Sequence, residues 1–453
     1  MTLPRPLTIA PEEYSLLTDL YQLTMTACYV GEGIEEKPAS FELFARSLPP
    51  QFGYLIAMGL AQVCEYLQNL QFTSAQIVFL QETEIFQNAP DRFWQLLASS
   101  RFTGDIWAVA EGSAIFPHEP ILRVEAPLWQ AQLVETYLLN TVNYQTLIAT
   151  RAARMRDIAG EKAKILEFGT RRAFSPQGAI WAARAALAGG LDGTSNVLAA
   201  LKLGEKPVGT MAHALVMALG TLAGGDENEA FSAFARYFPR SPLLIDTYDT
   251  LKAAESLAKQ VQAGEKQVMG VRLDSGDLVT LSQQVRSLLP NVPIFASGDL
   301  DEWEIARLQR EGAMIDGYGI GTRLVTGTPV NGVYKLVEIA GIPTMKQSAG
   351  KATYPGRKQI FRTETPKIQD RLGLLEEEAR GGERPLLELV IQAGQQIKKE
   401  EAIATIRQRT RASVASLPLE SRHLEDPQPI PVEISARLQT LQNSLMRKSP
   451  SID

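Results

Sequence analysis

Between about residues 131 and 330, short apolar runs alternate with longer stretches of helical period. Ile165–Phe168, Pro207–Ala212, Leu243–Ile245, Val268–Leu273, Pro293–Ala296 and Ile315–Ile320 are the apolar runs. A helix is predicted to start at Ser175-Pro176, Ser at the N-cap and Pro in the first turn, and to end at Gly189-Gly190. Further helices are predicted after Ala212 and near Tyr248–Ala263, Asp277–Leu289 and Asp301–Glu311. Strand, helix, strand at this spacing predicts βα units and a parallel sheet. The runs are apolar on both strand faces, and the units are many. Both features favour an α/β barrel over an open sheet.

The flanking regions read differently. Up to about residue 130, Ser15–Thr26 has a helical pattern, while Ser40–Phe44 and Ile106–Pro127 read as strands of a small meander, with turns at Glu111-Gly112 and Pro117–Pro120. From about 331 onward, Val333–Ile339 and Pro385–Ile391 read as strands. Lys346–Arg362 reads as a basic loop, Glu376–Glu383 as a charged turn and Ile434–Met446 as a last helix. Three segments are therefore expected: 1–130, 131–330 and 331–453.

Composition narrows the function classes. A chain of 453 residues, 45% hydrophobic and 21% charged, can bury a sizeable core, which excludes global disorder. With 45 Lys+Arg against 51 Asp+Glu the net charge is −6, so a nucleic-acid partner is not expected, and any anionic substrate must be met by local cations. Two cysteines, Cys28 and Cys64, are too few for a disulfide framework or a four-thiolate zinc site and suit a reducing, cytoplasmic location. No signal peptide is expected, because Met1–Ala10 has no apolar run. No membrane span is expected either, since Ala182–Leu191 and Ala214–Ala223 are short and broken by glycine.

Chemically able residues gather where the predicted strands end. Phe168-Gly-Thr-Arg171-Arg172 follows the first strand, Thr210 and His213 end the next, and Asp246 ends Leu-Leu-Ile-Asp. Arg272 and Asp274 lie in Gly270–Asp277, Gly298 in Ser297-Gly-Asp299, and Gly319 and Thr322 in Gly317–Thr322. In a barrel those ends share one face, where active sites form. Each residue also has a plainer explanation. Asp246 and Asp274 are good helix caps, Phe168 and His213 suit a core, and the arginines and the glycine loop suit a surface and a tight turn. Together they suit an anionic, phosphorylated substrate: two carboxylates for Mg²⁺, planar guanidinium forks for carboxylate or phosphate, and an imidazole available near neutral pH. Of the other two histidines, His118 reads as structural and His423 as solvated. The basic run Lys335, Lys346, Lys351, Arg357, Lys358, Arg362 is either a solvated loop or a flap over phosphates. No P-loop, no early dinucleotide-binding glycine motif and no Gly-x-Ser-x-Gly elbow occurs.

A set of motifs from about residue 14 to about 362 resembles the nicotinate phosphoribosyltransferase family. They include Leu17-Thr-Asp-Leu-Tyr-Gln-Leu-Thr24, Glu167-Phe-Gly-Thr-Arg-Arg172, Gly193-Thr-Ser-Asn196, Gly209-Thr-Met-Ala-His213, Asp246-Thr-Tyr-Asp249, Val271–Asp277, Gly319-Ile-Gly-Thr322, Gly332–Val337 and Pro355-Gly-Arg-Lys358. The resemblance implies an irregular α/β barrel plus a β-rich domain built from both chain ends. It implies transfer of phosphoribose from 5-phosphoribosyl-1-pyrophosphate (PRPP) to nicotinate, coupled to ATP and Mg²⁺, in a cytoplasmic homodimer with shared sites.

For individual residues, the resemblance implies that His213 is the histidine phosphorylated by ATP. Tyr21, from a partner subunit, would stack on the pyridine ring against Phe168. Arg171 and Arg272 would meet the carboxylate or ribose phosphate, and Thr210 would line the nicotinate pocket. Asp246 and Asp274 would hold Mg²⁺ or ribose hydroxyls. Gly298, Gly319 and Thr322 would cradle the 5-phosphate. The related nicotinamide enzyme has an Asp where this chain has Ser195, and a hydroxyl can donate to a carboxylate that an Asp would repel. Nicotinamide or quinolinate as substrate, and a non-catalytic metabolite-binding protein, are the alternatives.

Overall fold

The computed structural model describes residues 7–222, 226–348, 353–364 and 367–448. The chain forms two compact units. One comprises residues 1–147, 329–402 and 412–453, and the other residues 148–328 and 403–411.

The second unit is built on six parallel strands. In spatial order they are Gly193–Thr194, Lys164–Glu167, Gly317–Ile320, Ile294–Ser297, Val271–Leu273 and Leu243–Leu244. Ile165, Leu244, Val271, Leu273, Ile294 and Ile320 are fully buried, as expected of strands covered on both faces. Helices follow the strands, and five of them start on a side-chain cap. Ser175 accepts from the Gly178 N–H, Asn196 from Ala199, Asp249 from Lys252, Asp277 from Val279 and Asp301 from Glu304. The caps are thus Asp249 and Asp277. Asp246 and Asp274 cap nothing and are left for other work.

The predicted strand Pro207–Ala212 is not one. Among the described residues its one backbone hydrogen bond to the sheet is the Val208 N–H donating to the Thr194 carbonyl at 2.9 Å. Pro207 has no N–H to add, and the segment runs directly into the helix His213–Leu222. The two sheet edges, Gly193–Thr194 and Leu243–Leu244, are bridged there by side chains rather than by a ladder. Arg272 Nη1 donates to Thr210 Oγ1 at 2.7 Å, and His213 Nδ1 lies 3.1 Å from Thr247 Oγ1. The ladder stays open between these two edges, in keeping with an irregular barrel.

The first unit interleaves strands from both chain ends. Its seven-stranded antiparallel sheet runs Ile342–Pro343, Gly332–Ile339, Pro38–Ala45, Pro120–Pro127, Asp105–Val109, Leu387–Gln392, Gln395–Gln396. A four-stranded sheet, Glu383–Pro385, Lys358–Thr363, Gln369–Leu374 and Val432–Ile434, accompanies it. The predicted helix Ser15–Thr26 is split into a 3-10 turn, Pro11–Leu16, and a helix, Leu20–Gly31.

Half of the predicted basic flap is structural. Lys358 is buried against Glu42 at 2.8 Å, and Arg362 against Asp370 at 2.5 Å. Arg357 pairs with Glu125, Glu338 and Glu376 at 3.2–3.3 Å. Lys351 lies outside the described residues. Among the described residues no helix is long and apolar enough to cross a membrane.

Candidate active site

A cavity of about 720 Å³ opens in the second unit at the carboxyl ends of the parallel strands. Phe168, Arg171, Ser195, Thr210 and His213 line one part of it, and Arg272, Asp274, Gly298, Gly319 and Thr322 the rest. Asp246 stands behind His213 instead of lining the cavity. Tyr21 belongs to the other unit, on its Leu20–Gly31 helix, and is 47% exposed.

The strands fix these side chains differently. Phe168 follows Lys164–Glu167 and donates its N–H to the Ile320 carbonyl at 2.7 Å. Its half-buried ring rests on Gly319, where a Cβ would come within 2.5 Å of the ring. Gly319 is therefore a glycine because the ring needs that space. Gly298 has a different reason: its φ is +99°, and a Cβ would stand 2.3 Å from the Asp274 carbonyl oxygen.

His213, the first residue of its helix, is held at Nδ1 by the Thr247 hydroxyl, and its Nε2 lies 4.0 Å from both Asp246 Oδ1 and Asp274 Oδ2. Asp246 is nearly buried, its side chain 2% exposed. Its Oδ2 accepts from the Asp274 N–H at 2.9 Å and from the Ser275 hydroxyl at 2.6 Å, while its Oδ1 accepts no hydrogen bond. Asp274 is turned by Ser297, whose hydroxyl donates to Oδ1 at 2.5 Å, leaving Oδ2 toward His213. Burial pushes the Arg272 guanidinium below its usual range; Asp274 and Asp246 oppose this and Arg171 reinforces it. Arg272 Nε is a buried donor without a hydrogen-bond partner. An unsatisfied buried donor and an unsatisfied buried carboxylate oxygen are each costly when left alone, and here they flank one cavity.

Among the described residues no three acids, histidines or cysteines cluster as a closed metal cage. Two carboxylates with one free oxygen each suit the Mg²⁺ habit of binding through one or two carboxylates plus substrate oxygens. Thr247, Ser297 and Glu167 are the polar partners that sequence reasoning did not assign. Ser297 was visible in the Ser297–Asp299 cluster and Thr247 beside Asp246. Glu167 closes a strand, where its sequence context gives no sign of its contacts.

The first unit carries a second polar group. Burial lowers the Lys335 ammonium, with Glu135 opposing and Arg46 and Lys346 adding to it. Arg46 Nε is buried without a hydrogen-bond partner. Glu135 also helps raise the Tyr21 phenol, after burial as the main cause. The charges that act on Tyr21 are those of two acids, Glu135 and Asp19.

Comparison with known proteins gives a consistent result. Sequence models of the nicotinate phosphoribosyltransferase N-terminal domain, family region and C-terminal domain match residues 16–143, 163–293 and 381–442. The chain is 40% identical over 440 residues to a nicotinate phosphoribosyltransferase of Mycobacterium tuberculosis, covering 94% of this chain and 92% of the relative. It is 34% identical to the Homo sapiens nicotinate phosphoribosyltransferase, covering 95% and 96%. The crystal structure of human nicotinic acid phosphoribosyltransferase superposes with a TM-score of 0.84 at 32% identity, covering 94% of this chain and 99% of that one.

Proposed function

The chain belongs to the nicotinate phosphoribosyltransferase family, and from that premise we propose that it transfers phosphoribose from PRPP to nicotinate, giving nicotinate mononucleotide and pyrophosphate in the salvage of NAD. The observation that carries this reading is the cavity itself. It brings a half-buried aromatic ring, Phe168, the guanidinium groups of Arg171 and Arg272, His213 and Asp274 to one cavity.

The pyridine ring packs on Phe168, and its carboxylate meets a guanidinium fork and the Ser195 hydroxyl. Thr210 holds Arg272 in place for this. The pyridine nitrogen is then presented to the anomeric carbon of PRPP; the new N–C bond forms as the bond to pyrophosphate breaks, so no proton has to move. Gly298, Gly319 and Thr322 lie where the 5-phosphate binds. Asp246 and Asp274 would hold Mg²⁺, which neutralises charge on the departing pyrophosphate. His213 accepts the terminal phosphoryl group of ATP as ADP leaves; its added charge and acceptor oxygens reorganise pyrophosphate binding and draw the reaction forward, and hydrolysis to inorganic phosphate returns the free imidazole. Production of a mononucleotide and pyrophosphate from nicotinate and PRPP by the purified protein tests the reading; absence of both products overturns it.

The enzyme works as a cytoplasmic homodimer whose partner supplies Tyr21 to each cavity. Surface apolarity on the barrel unit supports a partner. Phe174 is 80% exposed, and Val197, Leu198 and Leu201 on one helix are 69%, 48% and 76% exposed. Assayed in the presence of ATP, Tyr21→Ala should be severely impaired and His213→Ala should lack the ATP-stimulated rate. Mixed and allowed to exchange subunits, they should regain about a quarter of the wild-type ATP-stimulated rate, because about half the dimers are hybrids and each hybrid has one undamaged site. No recovery on mixing would exclude shared sites.

A further inference from the structure

Glu167 is an acid whose side chain is fully buried, at the end of the Lys164–Glu167 strand, and no cation pairs with it among the described residues. Such a group is costly unless hydrogen bonds hold it. Its two oxygens are spent on two different turns. Oε1 accepts from the Gly169 N–H, and Oε2 accepts from the Thr194 hydroxyl at 2.5 Å. Thr194 is itself fully buried, and its Oγ1 accepts from the Asn196 N–H at 2.9 Å. The Glu167 carbonyl takes the Ser195 N–H at 2.9 Å. The first turn carries Phe168 and Arg171 to the cavity, and the second carries Ser195. Gly169 passes so close over the carboxylate that a Cβ would stand 2.8 Å from Oε1.

We propose that Glu167, acting through Thr194, is a positioning residue that sets the spacing between Phe168 and Ser195 and thereby the fit of the pyridine carboxylate. An apolar residue of the same size would leave the Gly169 N–H and the Thr194 hydroxyl without this acceptor and could not tie both turns to one group. The inference rests on the reading of the cavity as a nicotinate site.

The test is steady-state kinetics of the full-length protein with nicotinate and PRPP, for wild type, Thr194→Val, Thr194→Ser and Glu167→Gln. Thr194→Val keeps the volume and removes the hydroxyl. By displacing Ser195 it should raise KM for nicotinate about tenfold, the effect of losing the charge-assisted hydrogen bond from Ser195 to the nicotinate carboxylate, and leave kcat and KM for PRPP within about twofold. Thr194→Ser should restore KM. Glu167→Gln, whose amide oxygen can serve only one of the two donors, should move in the same direction as Thr194→Val; if it does not fold, the Thr194 pair decides. An active wild type with an unmoved nicotinate KM in Thr194→Val, equal shifts for both substrates, or failure of Thr194→Ser to restore KM overturns this inference alone. A wild type without nicotinate turnover overturns the functional reading and this inference with it.

Discussion

His213→Ala should take up no label from γ-labelled ATP and should lose the stimulation of mononucleotide formation by ATP, while folding as the wild type does. His213 is the one imidazole in the cavity. Its side chain is 40% exposed, so it makes little of the core, and it opens the helix His213–Leu222, where alanine is a good helix former. Removal therefore leaves little structural cost by which to explain a loss of function. Its ring is held at Nδ1 by Thr247, and Nε2 faces two carboxylates. A nucleophile oriented from one side and flanked by groups suited to Mg²⁺ has the arrangement expected of a phosphoryl acceptor. Acid-labile label persisting in His213→Ala would move the phosphorylation elsewhere.

Asp246→Asn should lower kcat about 10²- to 10³-fold, the usual loss when one preorganised charge or dipole is removed from a transition state, with melting temperature nearly unchanged. The amide oxygen of Asn can still accept the Asp274 N–H, so the bond between the Leu243–Leu244 and Val271–Leu273 strand ends persists. What is lost is the negative charge on an oxygen that is buried, accepts no hydrogen bond and faces the imidazole. Kinetics and thermal melting on the same preparation check this. A fall in melting temperature with kcat reduced less than about threefold would make Asp246 a purely structural carboxylate.

Much of the barrel unit was legible in the sequence because its strands are short apolar runs and its helices begin on Ser, Asn or Asp caps. Periodicity and capping are local signals. Pro207–Ala212 misled the reading for the same reason: it is apolar enough for a strand, yet only the neighbouring edge decides whether a ladder forms. Asp246 and Asp274 were ambiguous for want of one structural fact, that Asp249 and Asp277 do the capping. Arg357, Lys358 and Arg362 looked like a phosphate flap because their partners, among them Glu42 and Asp370, lie far away in sequence or on a paired strand. Glu167, Thr247 and Ser297 were unassigned for a related reason: each acts through a hydrogen bond to a neighbouring strand end or turn. The residues that touch the cavity belong to recognisable motifs, whereas the residues that hold them are found only in three dimensions.

The most direct test of the account is product analysis with nicotinate, nicotinamide and quinolinate, each with PRPP and Mg²⁺, in the presence and absence of ATP. A mononucleotide and pyrophosphate are expected from nicotinate, with ATP raising the yield, and neither product from the other two. Turnover with nicotinamide or quinolinate in place of nicotinate, or binding of nicotinate without turnover under any of these conditions, would contradict it.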